Sequence, residues 1–404
     1  MFSKDFLINK LEQITEFSFA GALFLLPFSK ALLELFLSVS LISWFLLKII
    51  SGSSFSQNRS LLIIMGLFII SSSLSAFTSG FPLLATRGII KLIRYSLVLL
   101  VSFDLLQDSK KLKRLCFIEF LCFLAVLVDA LAQRIIGKDL ISGIPVQYAD
   151  QQVRLTAPFH AYGLLGAFLM ALLPILIVII FIKSKKHGFK TMFLLVIPAV
   201  AFYVLYKTHS RGAWLAALGS WLLFAVIMRQ KMLIAGIIGI FLVAPFVLPR
   251  NALIHLDIER KEQSLVERYY LWDRAIQVIK ARPWFGCGIN TYGRNYSKFD
   301  KTKSWRVPGY YVHNGYLQIA AETGLVSLAL FLLLIFTGLK SAYLAFRKSS
   351  GDQKLLVASL ITGFSALLLQ AIVDTTLHNT QSAVLIWCFL GLLLSMQGRL
   401  VKYE

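Results

Sequence analysis

The sequence predicts an all-α, polytopic membrane protein, and three observations predict it. Of 404 residues, 57% are hydrophobic and 15% charged, with a mean hydropathy of +0.74, far too apolar for a soluble domain of that length. The apolar residues fall into runs of about 20, the length a helix needs to cross a hydrocarbon core. The basic residues collect in the short gaps between runs. The net charge of +21 therefore reads as orientation by the positive-inside rule and contact with anionic lipid heads. Nucleic-acid binding would need those cations gathered on a soluble face, and it is excluded as a partner class.

Taken in order, spans are expected near 14–30, 32–50, 60–78, 84–103, 113–134, 160–182, 191–207, 212–228, 231–249, 316–340, 354–374 and 380–397, twelve in all. The N-terminal MFSKDFLINKLEQITEF is mixed in charge and too polar for a signal peptide, so the first helix is expected to stay in the protein. Cys116, Cys122, Cys287 and Cys388 stand at unrelated spacings, which suggests neither a disulfide framework nor a zinc site. The even-numbered gaps carry Lys48 and Arg59, Lys110 to Arg114, Lys183 to Lys190, Arg229 and Lys231, and Arg347 to Lys354, and the opposite short gaps carry far fewer cations. Both termini are thus expected in the cytoplasm. The chain divides into helices one to nine (1–249), an outward-facing helical loop (250–315) and helices ten to twelve (316–404). This topology puts Arg87, Arg154, Arg211, the long loop, His313, Asp374 and His378 on one side, which scattered packing accidents would not do.

The fourth span carries Arg87, Lys91 and Arg94 at intervals of four and three, a basic stripe on one helix face. Lipid does not tolerate such a stripe, so it is expected to face a water-filled cavity or an anion, with Arg87 met first from outside. The outer connection 135–159 ends in Arg154, Pro158 and then His160; Arg154 reads either as an interfacial anchor or as a ligand contact. At the start of the eighth span, Thr208-His209-Ser210-Arg211-Gly212-Ala213-Trp214 places an arginine beside a helix N-terminus with Ser210 as N-cap. Unpaired N–H groups and a cation there suit phosphate.

In the long loop, Leu265, Tyr269, Trp272, Ile276 and Ile279 recur at four, three, four and three, an amphipathic helix able to lie on the bilayer or cap a cavity. It ends at Arg282-Pro283, and Pro-Trp-Phe-Gly-Cys-Gly then forces a turn. In 294–311, Arg294, Lys298, Lys301, Lys303 and Arg306 alternate with Tyr296, Phe299, Trp305, Tyr310 and Tyr311, a composition that suits sugar faces, phosphates or the membrane interface alike. Next comes Val312–Leu325, VHNGYLQIAAETGL, where polar His313, Asn314, Tyr316 and Gln318 run straight into an apolar helix. His313 is therefore expected at the membrane boundary. Glu322, nine residues on and about 13 Å further along a helix, lies within the apolar span and needs a partner, for which the stripe of the fourth span is one candidate. Asp374 and His378, at the turn between the last two spans, are secondary candidates for the site.

Several of these segments together carry a family likeness. Thr208 to Ala213, Arg268-Tyr269-Tyr270-Leu271-Trp272 with Pro283-Trp284-Phe285-Gly286-Cys287-Gly288, and His313-Asn314-Gly315-Tyr316-Leu317-Gln318 through Glu322-Thr323-Gly324-Leu325 resemble the O-antigen ligase superfamily, which also holds O-antigen polymerases and protein O-oligosaccharyltransferases. Arg154 with Thr156-Ala157-Pro158-Phe159 resembles a weaker upstream motif, so the likeness covers a single catalytic unit over 154–325. It implies a membrane-embedded, inverting glycosyltransferase of the bacterial inner membrane, with its active site towards the periplasm and no metal or other cofactor. The donor it implies is a glycan on undecaprenyl diphosphate, and for a ligase the acceptor is a sugar hydroxyl of the lipid A core. His313, Arg211 and Arg268 would be catalytic; Arg87, Arg154, Ser210, Asn314, Tyr316 and Gln318 would bind substrate. Planar guanidinium groups can take the charge of a departing diphosphate in place of a metal, and a histidine can take the acceptor's proton or orient the acceptor. Polymerase and protein-glycosylating activities share the donor and remain alternatives. An anionic-lipid transporter or flippase is the reading from another class, but it usually shows matching repeats, which the chain lacks.

Overall fold

The computed structural model describes residues 3–55, 59–149, 152–187, 193–247, 258–298 and 311–400. Phe299, Lys301, Lys303, Trp305, Arg306 and Tyr310 of the basic, aromatic stretch lie outside the described residues. The elements are α1 (Lys4–Leu25), α2 (Lys30–Ser51), α3 (Arg59–Leu74), α4 (Pro82–Leu105), α5 (Ser109–Ile136), a small antiparallel hairpin of β1 (Gln147–Ala149) and β2 (Gln152–Arg154), α6 (Tyr162–His187), α7 (Val196–Lys207), α8 (Arg211–Ile227), α9 (Lys231–Val247), α10 (Ile258–Ala281), α11 (Tyr292–Asn295), α12 (Gly315–Lys348), α13 (Gly351–Gln370) and α14 (Thr380–Leu400). Each of the twelve expected spans is a helix, α1 to α9 and α12 to α14. Among the described residues six helices are long and apolar enough to cross a membrane, and Phe193–Lys207, Arg211–Ile227 and Thr380–Met396 are apolar but shorter. The chain is a multi-pass, all-α membrane protein; twelve is the number of expected spans found as helices, not a count of crossings. Large side chains such as Ile42, Ile63, Phe117 and Leu215 are exposed on outer faces, as a lipid-facing surface requires.

Local chemistry sets the helix ends. Ser3 Oγ accepts from Phe6 N–H, so α1 begins ten residues before the expected span and ends by Pro27. Asp108 caps α5 by accepting from the N–H groups of Lys110 and Lys111, and Asn314 caps α12 by accepting from Tyr316 and Leu317, both at 3.0 Å. Ion pairs join the basic gaps at one end of the bundle: Lys48 with Asp104, Lys111 with Glu12, Arg114 with Glu16 and Lys185 with Asp352. The other end holds the connections with the unusual polar residues, tied to one another by hydrogen bonds. Leu155 N–H donates to Lys207 O, Gly315 N–H to Ala371 O and Asp374 O, and Thr78 Oγ1 to Gly286 O. The upstream connection is held to α5 by buried Gln133, whose Oε1 accepts from the N–H groups of Thr156 and Ala157.

Two features depart from the expected pattern. The first is that α12 is not continuous: Gly324 has φ 86° and ψ 170° inside it. Normal pairing would give Leu325 N–H to Ala321 O. Instead Leu325 N–H donates to Pro283 O at 2.8 Å, Ala321 O accepts from Cys287 N–H at 2.9 Å, and Glu322 O accepts from Gly288 N–H at 2.9 Å. The Pro283 to Gly288 turn is built into the break and supplies partners for Leu325 N–H, Ala321 O and Glu322 O. The second is the face of α10. Leu271, Ala275 and Val278 are buried against Cys287, Tyr292, Val312 and Ala321, while Tyr269 (66%) and Ile276 (39%) of the expected apolar stripe are exposed. Trp272 and Ile279 of the same stripe pack against this cluster, so the stripe is shared between the buried face and the outer surface.

Candidate active site at one end of the helix bundle

His313 stands one residue before the N-cap of α12 with φ 54°, a left-handed backbone that an L-residue adopts at a cost of about 1–2 kcal/mol. Two elements converge on it. From the α13–α14 turn, Asp374 Oδ1 lies 4.0 Å from His313 Nδ1, leaving Nε2 for a substrate. From α10, Trp272 Nε1 donates to His313 O at 3.4 Å, and Arg268, one turn before Trp272 on the same face, acts electrostatically on the imidazole. Burial is the main cause that holds His313 below its usual range; the Asp374 carboxylate opposes it, and Arg268 reinforces it. Burial thus favours the neutral ring, the form a general base requires.

The start of α8 reaches the same turn. A Cβ on Gly212 would stand 2.8 Å from Val373 Cγ2, and one on Gly163, in the first turn of α6, 2.8 Å from Asp374 Oδ2, so both helices approach Val373 and Asp374 at backbone distance. Arg211 is exposed there. Ser210 occupies the N-cap position, as expected, but its side chain makes no capping bond. Arg154 sits behind this segment: its guanidinium donates to Thr208 O at 2.9 Å and His209 O at 3.3 Å and stacks on Tyr162. Its visible work is to hold the chain leading into Arg211. The substrate-binding expectations for Asn314, Tyr316 and Gln318 meet a similar outcome. Asn314 caps α12, Tyr316 O–H donates to Leu368 O at 2.9 Å, and Gln318, 1% exposed, accepts from Val312 N–H at 2.7 Å.

The basic stripe of α4 splits three ways. Arg94 pairs with Glu34 of α2 at 3.5 Å, Arg87 is exposed, and Lys91 turns inwards, its Nζ donating to His378 O at 2.8 Å. A cavity of about 100 Å³ is lined by Lys91, Glu322, His378, Asn290 and Tyr311 together with aromatic residues such as Trp387. Lys91 and Glu322 therefore do share a chamber. The direct partners of Glu322 are different: Asn290 N–H at 3.0 Å, Tyr292 N–H at 3.3 Å and Gln318 Nε2 at 2.9 Å. Asp374, only a secondary candidate in the sequence, is the closest acidic group to His313 that the structure shows. No local motif marks it; its turn position among apolar spans was the only signal.

The stretch running from α7 through the break in α12 can be placed by comparison. Residues 196–332 match the family model described as O-Antigen ligase. That segment, about a third of the chain, is similar to the O-antigen ligase family. No curated protein matches the chain. The superfamily match contains Arg211, Arg268, His313 and the Pro283 to Gly288 turn, and it ends before Asp374. The likeness of this segment is to the O-antigen ligase and polymerase group.

The neighbours of His313 give a pH signature for any reaction in which it acts as a base, because the acid limb of kcat/KM follows the free enzyme's base. Asp374→Asn removes a carboxylate that raises the His313 pKa, so the limb is expected to move to lower pH. Arg268→Gln removes a cation that lowers it, so the limb moves up. The positions of the two limbs, measured independently of their heights, check both signs.

Proposed function

We propose that the protein is an O-antigen ligase that transfers a glycan from undecaprenyl diphosphate to a sugar hydroxyl of a lipid A core, with inversion and without a metal. The observation that carries the reading is the convergence of His313, Asp374, the Arg268 face of α10 and the Arg211 end of α8 at one end of the bundle, within a chain whose residues 196–332 are similar to this family. The site end would face the periplasm and the ion-paired end the cytoplasm of a bacterial inner membrane.

In the proposed step the acceptor oxygen attacks the anomeric carbon while its proton passes to His313 Nε2. The bond from that carbon to the diphosphate oxygen breaks, and its electron pair leaves with undecaprenyl diphosphate. Arg268 and Arg211 stabilise the charge that appears on the phosphates, where bidentate guanidinium contacts are strongest, and exposed Arg87 lies where an anionic lipid head first meets α4. Asp374 steadies the imidazolium formed at His313. Arg154, Ser210, Asn314, Tyr316 and Gln318 shape the site through their backbone and helix contacts, and the catalytic unit extends beyond 154–325 to Asp374.

The test is transfer by purified protein in chelator, with undecaprenyl-diphosphate-linked glycan and lipid A core supplied together. Glycosylated core, absent with Arg211→Ala, is the expected product. Elongation of the donor into longer lipid-linked chains would make the protein a polymerase instead, and an intact donor with every acceptor would sink the transferase reading.

A further inference from the structure

Glu322 is 4% exposed, and its carboxylate gathers three donors from two separate segments. Asn290 N–H reaches Oε2, while Tyr292 N–H and Gln318 Nε2 reach Oε1. Each of these contacts leads on to a group of the site. Gln318 Oε1 accepts from Val312 N–H at 2.7 Å, and the next residue is His313. Tyr292 O–H donates to Leu271 O at 3.4 Å, three residues from Arg268 on α10. Tyr292, Val312, Ala275 and Val278 share one buried cluster with Ala321, the neighbour of Glu322. On the other side, His378 Nε2 lies 3.8 Å from Glu322 Oε2, four residues from Asp374.

We propose that Glu322 is a positioning residue that sets the distance between His313 and Arg268, resting on the glycosyl-transfer reading above. The chemistry requires a carboxylate. Ionised Asp and Glu are acceptor-only, and two oxygens here receive three donors. An amide would turn an N–H₂ group towards one of the backbone N–H groups, leaving a buried donor unmade. Glu322 is also two residues before the Gly324 break, so the turn that carries Asn290 is held twice, by the main chain of α12 and by this side chain. An ordinary buried ion pair could tie the loop down equally well. The Gln318 to Val312 relay and the Tyr292 to Leu271 contact are what aim it at the two groups on which transfer depends.

A displacement of about 1 Å in a reacting group can cost about 10²-fold in rate. Glu322→Gln is therefore expected to lower kcat about 10- to 100-fold while leaving KM for the lipid-linked donor within about twofold, in protein that still melts cooperatively in detergent. The pH at the acid limb of kcat/KM should also move, because the separations of His313 from Arg268 and Asp374 change. Exchanging the pair, Gln318→Glu with Glu322→Gln, returns one carboxylate to the network and should recover part of kcat. Gln318→Met is the second variant if Glu322→Gln does not fold: it cuts only the relay to Val312 and should lower kcat with the loop still docked. Unchanged kcat per folded molecule and an unmoved acid limb in Gln318→Met would overturn the proposal, as would a Glu322→Gln that loses only thermal stability. His313→Ala run beside them separates the two levels: if it retains full activity, the catalytic reading fails, whereas its loss with an unaffected Gln318→Met removes Glu322 alone.

Discussion

His313→Ala is expected to reduce kcat/KM for glycan transfer by about 10²- to 10⁴-fold, a loss of about 3–5 kcal/mol of transition-state stabilisation. The expectation follows from placement. Burial favours the neutral ring, Nδ1 is turned to Asp374, and in the proposed step Nε2 meets the acceptor hydroxyl. The residual activity should be appreciable, since Arg211 and Arg268 would still bind and polarise the diphosphate. For the same reason KM for the donor should change little, and the loss should appear in kcat. Arg268→Lys provides the contrast: it keeps the charge but loses the planar fork that can grip two phosphate oxygens, so donor KM and kcat should both suffer. Steady-state kinetics with a fixed acceptor concentration distinguishes the patterns. If His313→Ala instead raises donor KM and spares kcat, the histidine binds the donor and another group takes the proton.

What could be read from the sequence was the residue type placed where it costs most. In a chain this apolar, an arginine beside a helix start or a histidine against an apolar run stands out, so Arg211 and His313 were marked by their positions, as were the twelve helices, whereas Arg268 was named only through the family resemblance. What the helix period could not convey was how polar groups divide their bonds. Arg154 reads equally as an anchor or a ligand until its guanidinium is seen on the carbonyls of Thr208 and His209. Gln318 has the same sequence signal as His313 but is buried and relays a backbone bond. Asp374 lies 61 residues from His313, and only packing brings them together. In α10 the bulky stripe divides: Trp272 and Ile279 pack against the buried cluster that holds Ala275 and Val278, while Tyr269 and Ile276 stay exposed, a division the helix period does not specify.

The break in α12 was the feature least accessible to sequence, and it gives the largest expected effect on the fold. Gly324→Ala should destabilise the protein by about 4 kcal/mol or more, at the rare end for a single substitution. Two costs combine. The backbone at φ 86° and ψ 170° falls in a region essentially restricted to glycine, and a Cβ there would run into the carbonyl of Trp284, a main-chain atom that cannot rotate away. Relief would require the Pro283 to Gly288 turn to leave the break, exposing Ala321 O, Glu322 O and Leu325 N–H without partners in an apolar helix. Gly286→Ala should act in the same way from the other side, since its Cβ would strike the Glu322 carbonyl and its φ is 64°. Gly66→Ala is the control: it lies within α3, nothing stands within 4 Å of the added carbon, and it should be neutral or stabilising by about 0.5–1 kcal/mol. Thermal melts of the three variants in detergent decide the matter. If Gly324→Ala melts with Gly66→Ala, the turn does not occupy the break, and α12 runs straight through residue 324 as the apolar pattern alone would have it.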